Sequence, residues 1–148
     1  MLDETMQLEK LRQQIEKVEE EAGSASDFLD YGKPNEAQAK SAKKVIENSK
    51  REVERLRSQL GELIAKSPPQ AVQEWANFHT AILQKIASEQ VTNPHTKTRV
   101  FVAKQTLEEW EKVRRGEQEY VRINWHFLKD YKDEAKKLTG GEKWKFWK

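Results

Sequence analysis

Between Ala39 and Leu63 seven apolar residues form a stripe spaced by threes and fours: Ala39, Ala42, Ile46, Val53, Leu56, Leu60 and Leu63, with Ser49 in the one remaining stripe position. A strand cannot use that spacing, because its side chains alternate with period two. Pro68-Pro69 closes the run, since proline has no amide proton to continue a helical ladder. At the other end, Asn35 followed three residues later by Gln38 is a capping-box pattern. The spacing predicts a helix over 35–66, about 45 Å long at ~1.5 Å per residue.

Such a stripe needs a partner, and one lies just upstream. Leu8, Leu11, Ile15, Val18 and Ala22 repeat the alternation, preceded by Leu2 and Met6, with Gly23 where a helix C′ glycine would sit. The predicted helix over 3–22 holds three basic residues against seven acidic ones, whereas 35–66 holds eight basic against five acidic. Complementary in stripe and in charge, the two segments predict an antiparallel hairpin. The connector 23–34 reads as a turn-rich link whose Phe28, Leu29 and Tyr31 fold back onto the core.

Two further helices follow. Ser67-Pro68-Pro69-Gln70 predicts an N-cap serine, proline at the first helical position and a helix over 68–90. Its apolar face carries Val72, Trp75, His79, Ile82 and Ile86, and its only charges are Glu74, Lys85 and Glu89, so deep burial is expected. The stretch 91–105 has two readings. The β-branched Thr98, Val100 and Val102 favour an ordered loop with one short strand, while Asn93-Pro94 allows an earlier helix start. Thr106 with Glu109 forms a second capping box and predicts a helix over 107–138. Apolar residues there cover an arc of about 200°, twice that of a surface helix, which implies packing on more than one side. Gly116 is where that helix would kink or break. The expected fold is all-α: a four-helix, mostly antiparallel bundle with coiled-coil character over 1–139. A Gly140-Gly141 hinge and a short aromatic, basic tail then fill 140–148.

Composition agrees with long helices that present much surface. Charged residues make up 35% of the chain and hydrophobic ones 36%, against roughly 25% and 45–50% in ordinary domains. The near balance of 27 basic and 25 acidic residues argues against disorder. A net charge of +2 is too small to imply a nucleic-acid partner from bulk electrostatics. With no cysteine, disulfide and thiolate chemistry are excluded. The acidic start Met1-Leu2-Asp3-Glu4 does not resemble a signal peptide, and no apolar run approaches the ~18 residues of a spanning helix, so a cytoplasmic protein is expected.

Motifs that carry chemistry are missing. His79, His95 and His126 show none of the spacings that build metal sites in helices, and neither a metal nor any other cofactor is expected. His79 reads as a bonded core histidine, and His126 with Asp130 as a hydrogen-bonded or solvated pair. The loop His95-Thr96-Lys97-Thr98-Arg99 is cationic and hydroxyl-rich, which suits phosphate or plain solvent. Ser49, Arg114, Glu117 and Asn124 fall where the stripes call for apolar residues, as residues that fix register, bridge helices or meet a partner do. No second carboxylate, nucleophile or phosphate-binding loop accompanies them, so no enzyme is expected.

The strongest lead is the tail, Lys143-Trp144-Lys145-Phe146-Trp147-Lys148. Trp144, Phe146 and Trp147 either return to cover an open end of their own bundle or anchor in a partner's groove, with Lys143, Lys145 and Lys148 steering. Offset by Glu142, three lysines fall short of the roughly four to eight that a membrane anchor uses. The functional expectation is a non-catalytic helical interaction protein, a structural, adaptor or assembly module. Its partner is another protein or a second copy of itself, docked through coiled-coil faces and the tail. The alternative is an accessory subunit for single-stranded nucleic acid, using the tail with Lys43, Lys44, Lys50, Arg51, Arg55 and Arg57.

Overall fold

The computed structural model describes residues 2–124 and 126–138, and among them the chain forms five α-helices and no strand. In chain order these are α1 (Asp3–Tyr31), α2 (Glu36–Lys66), α3 (Pro69–Ala87), α4 (Pro94–Arg114) and α5 (Lys129–Leu138). The all-α expectation holds at that level, with five helices in place of four. The expected tail, 140–148, lies outside the described residues.

α1 and α2 pack along their length, and the short connection between them makes an antiparallel hairpin. α1 runs straight through Gly23, which is mid-helix and not a C′ residue. A mid-helix glycine costs only about 1 kcal/mol relative to alanine, and Ala22, Ala25 and Leu29 carry the apolar stripe past it. The helix ends at Gly32, whose N–H donates to the Phe28 carbonyl at 2.9 Å. α2 begins with the expected capping box: the Gln38 N–H donates to Asn35 Oδ1 at 2.8 Å, and the Asn35 N–H to Gln38 Oε1 at 3.0 Å.

Ser67 does not cap α3. It closes α2, its hydroxyl donating to the Leu63 carbonyl at 2.6 Å, and α3 starts on proline alone. Residues 94–105 are helical, not a loop. Asn93 caps α4 through a box with Thr96, which outweighs the β-branched residues behind it. Thr106 is therefore mid-helix and donates back to the Val102 carbonyl at 2.7 Å.

The long helix expected over 107–138 breaks. Gly116 has a φ of 77°, a left-handed conformation that glycine reaches without penalty. Residues 117–124 then run without regular structure, and α5 starts at Lys129. The wide apolar arc thus belongs to three pieces. Trp110 and Val113 face the core from α4, Tyr120, Val121 and Ile123 from the crossing segment, and Tyr131 and Ala135 from α5.

The core lies where α3 meets α4, α5 and the first half of α1, around Trp75 and Trp110. Buried residues of α1 are Thr5, Leu8, Glu9, Arg12 and Ile15, and none lies beyond Ile15. In α2, Leu56 and Leu60 are buried at the same end, with only Ala42 and Ser49 buried farther out. At roughly 43 and 46 Å, α1 and α2 are much longer than α3 at roughly 28 Å. The far half of the hairpin is therefore an arm that, among the described residues, covers only itself.

Candidate functional site

Two features deserve a functional reading: a charged network inside the core and the uncovered arm. The network is centred on Glu9. Its carboxylate accepts from Arg12 Nε at 2.9 Å and Nη2 at 2.8 Å, from Gln13 Nε2 at 2.9 Å, from Trp75 Nε1 at 3.0 Å and from His79 Nε2 at 2.6 Å. Because a carboxylate can only accept, Nε2 carries the imidazole proton and Nδ1 is free to accept the Tyr131 hydroxyl. Arg12 spends its other terminal nitrogen on Glu16 at 2.9 Å. His79 stacks on Trp110 with ring centroids 4.1 Å apart, and Trp75 meets Trp110 edge-on at 4.9 Å.

Glu9, Arg12, Trp75, His79, Trp110 and Tyr131 are each 0% exposed. Burial by itself raises the pKa of Glu9, but His79 and Arg12 outweigh it and hold the carboxyl well below the usual range. Burial keeps the His79 imidazole neutral, with its pKa lowered although Glu9 pulls the other way. The Tyr131 phenol is pushed well up by the same burial. In the fully buried part of the network Glu9⁻ balances Arg12⁺, the condition under which charges survive in a core.

Carboxylate, imidazole and hydroxyl stand in the order of a catalytic triad, but chemistry needs an approach for substrate. The Tyr131 hydroxyl donates inward to a buried ring, and all three groups are closed off from solvent. This arrangement latches α1, α3 and α5 together. No group of three or more metal-ligating side chains occurs among the described residues, and no helix there is long and apolar enough to cross a membrane.

The arm offers the opposite environment. One of its faces carries a groove of about 450 Å³ between α1 and α2, with Ala22, Gly23, Ile46 and Val53 in its wall. The lining is mostly apolar, and a Cβ added at Gly23 would meet nothing within 4 Å. Nearer the core the same face of the hairpin is covered: Tyr120 donates to Glu19, and Arg57 pairs with Glu119 at 2.7 Å. Arg122 stands where the crossing segment leaves the groove. Beyond it, Phe28, Val45 and Tyr31 are exposed, Tyr31 by 82%.

Other residues singled out in the sequence are scattered. Arg114 joins α4 to α3, donating to Gln73 at 2.9 Å and also to Asn77. Glu117 is exposed and pairs with Arg115. Asn124 is exposed and accepts from the His126 N–H at 3.1 Å. Asp130 meets Arg99 at 3.3 Å, and Arg99 also holds Glu89 and the Phe127 carbonyl, so the cationic stretch 95–99 is the start of α4 tied to its neighbours. Of the basic residues on α2, Arg55 pairs with Glu52 and Arg57 with Glu119, while Lys43, Lys44, Lys50 and Arg51 are exposed. Trp144, Phe146, Trp147, Lys143, Lys145 and Lys148 lie outside the described residues.

In the sequence, Glu9 and Arg12 stand out only as two of the charges of the first helix. A signal was there: both adjoin Leu8, Leu11 and Ile15, three residues apart beside the stripe. Comparison with protein-family models, with curated proteins and with solved structures gives no match.

Proposed function

We propose that this chain is a non-catalytic helical interaction module whose docking element is the far half of the α1–α2 hairpin, assisted by the aromatic, cationic tail. The observation that carries this reading is the uncovered arm. Its base is fastened by a buried charged latch, while its outer groove is apolar, open and free of any third layer among the described residues. A protein helix laid in that groove would extend the packing that α3 and the crossing segment provide nearer the core. Docking of this kind draws its affinity from a few buried anchors, and the small side chains Ala22, Gly23 and Ser26 allow a close approach.

The test is site-specific photo-crosslinking. A photoreactive residue at Ser26, on the groove, is expected to give a discrete adduct with one protein. The same residue at the exposed Lys104 of α4 should not, and Gly23→Trp should abolish the adduct without lowering the unfolding midpoint. Equal labelling from both positions, or an adduct indifferent to Gly23→Trp, would remove the arm from the account.

A further inference from the structure

Near the core, the elements that cover the hairpin meet it with one polarity of charge. Toward α1 they turn donors: the Tyr120 hydroxyl donates to Glu19, and Lys132 pairs with Glu20 at 3.7 Å. Toward α2 they turn a carboxylate, Glu119, which pairs with Arg57 at 2.7 Å. The hairpin itself imposes this order, because α1 is its acidic member and α2 its basic one.

Beyond the crossing segment the same order continues along the groove. On α1, Asp27 and Asp30 follow the groove residues Gly23 and Ser26 by four positions, one turn farther out on the same row. On α2, Lys50 lines the groove, and Lys43 lies two turns farther out on its row. All four charged residues are exposed, and none of them is ion-paired among the described residues. Glu54 departs from the order, but it lies at the inner end of the groove, which it shares with Arg122. Between the two charged rows the wall is apolar, with Ala22, Ile46 and Val53. From Glu19 to Asp30 the acidic row is about 17 Å long, or three turns of helix. A second copy of the hairpin fits this groove badly. Laid antiparallel, it sets one acidic α1 on the other, and laid parallel, it drives the two crossing segments together.

We propose that the groove takes an amphipathic helix of another protein, about three turns long, whose apolar stripe has basic residues on one flank and acidic residues on the other. The basic flank lies along Asp27 and Asp30 of α1, and the acidic flank along Lys43 and Lys50 of α2. Turned end for end, such a helix would set like charges together on both edges, so the two rows fix its direction as well as its class. A helix with acids on both flanks meets carboxylates along α1, and one with bases on both meets the lysines of α2. This rests on the docking reading above and adds the chemistry of the partner to it.

The probes are three designed helical peptides with the same leucine stripe. One has lysines on one flank and glutamates on the other, the second has lysines on both, and the third has glutamates on both. Each carries a fluorophore, and binding to the full chain is read by anisotropy at low salt, where exposed charges are least screened. The mixed peptide is expected to bind several-fold more tightly than either of the others. Asp27→Lys/Asp30→Lys should turn the preference to the peptide with glutamates on both flanks, and Gly23→Trp should abolish binding of all three. Equal affinities, no binding by any peptide, or a preference that Asp27→Lys/Asp30→Lys leaves in place overturns the proposal. A dimer of the chain that Gly23→Trp dissolves also overturns it, by giving the groove to a second copy. The photo-crosslink separates this proposal from the reading it rests on. An adduct at Ser26 that persists in Asp27→Lys/Asp30→Lys keeps the groove as a docking site and removes only the charge rule. Flank-selective binding that is indifferent to Gly23→Trp removes the groove, and with it both.

Discussion

Removing the Glu9 carboxylate would leave Arg12 charged in the core with only Glu16, at its edge, as a counter-charge. Breaking a buried ion pair in this way costs about 3–5 kcal/mol, so Glu9→Ala should lower the urea midpoint severely. Glu9→Ala/Arg12→Met should be less destabilised than the single variant, because the orphaned charge is gone. Tyr131→Phe leaves His79 Nδ1 without its donor and should cost about 1–3 kcal/mol. The pH response follows from the same network. The pKa of His79 is lowered in the fold from its ordinary 6.5, so its contribution to stability is full above that value. As pH falls below about 6.5, the unfolded chain binds a proton that the folded imidazole resists, and stability declines. The Glu9 carboxyl, also lowered, adds a second loss as pH falls below its ordinary 4.5. Unfolding midpoints measured from pH 8 to pH 4 should fall monotonically, and a rise between pH 7 and pH 5.5 would contradict the neutral, buried assignment of His79.

At the scale of the helices, glycine makes opposite predictions at different positions. Gly23 and Gly61 are mid-helix, and an added Cβ meets nothing within 4 Å at either. Gly→Ala should therefore stabilise by about 0.5–1 kcal/mol at each. Gly116→Ala should instead destabilise, since φ is 77° there. Denaturant titrations of the three variants decide both signs. Much of the helical pattern was legible because apolar spacing and the Asn35–Gln38 box are local signals. α2 was read to within a residue of its start. The errors arose where a local signal was genuine but outweighed. Gly23 resembled a helix end, yet Ala25 and Leu29 keep the stripe against α2, and that packing carries the helix on. Thr106 with Glu109 resembled a start, but Asn93 with Thr96 caps the helix earlier. The candidate site was much less legible. Glu9, His79 and Tyr131 come from three helices and sit up to 122 positions apart, so no spacing within one helix reveals that they meet. The open groove depends on α3 being shorter than α1 and α2, a property of the assembled molecule.

At the scale of the whole molecule, the account divides the chain into a latched core and a projecting arm. Stability need not be uniform across such a structure, and regions with few buried contacts open locally at low cost. The central claim is that α1 is held by the latch in its first half and left available for docking in its second. Amide hydrogen exchange along α1, residue by residue, tests this most directly. Amides from Leu8 to Ile15 should exchange only through global unfolding, and they should lose protection in Glu9→Ala. Amides from Gly23 to Tyr31 should exchange far faster, with rates that Glu9→Ala leaves almost unchanged. Uniform protection from Leu8 to Tyr31, collapsing together in Glu9→Ala, would show that the hairpin is one cooperative unit with the core and would contradict the account.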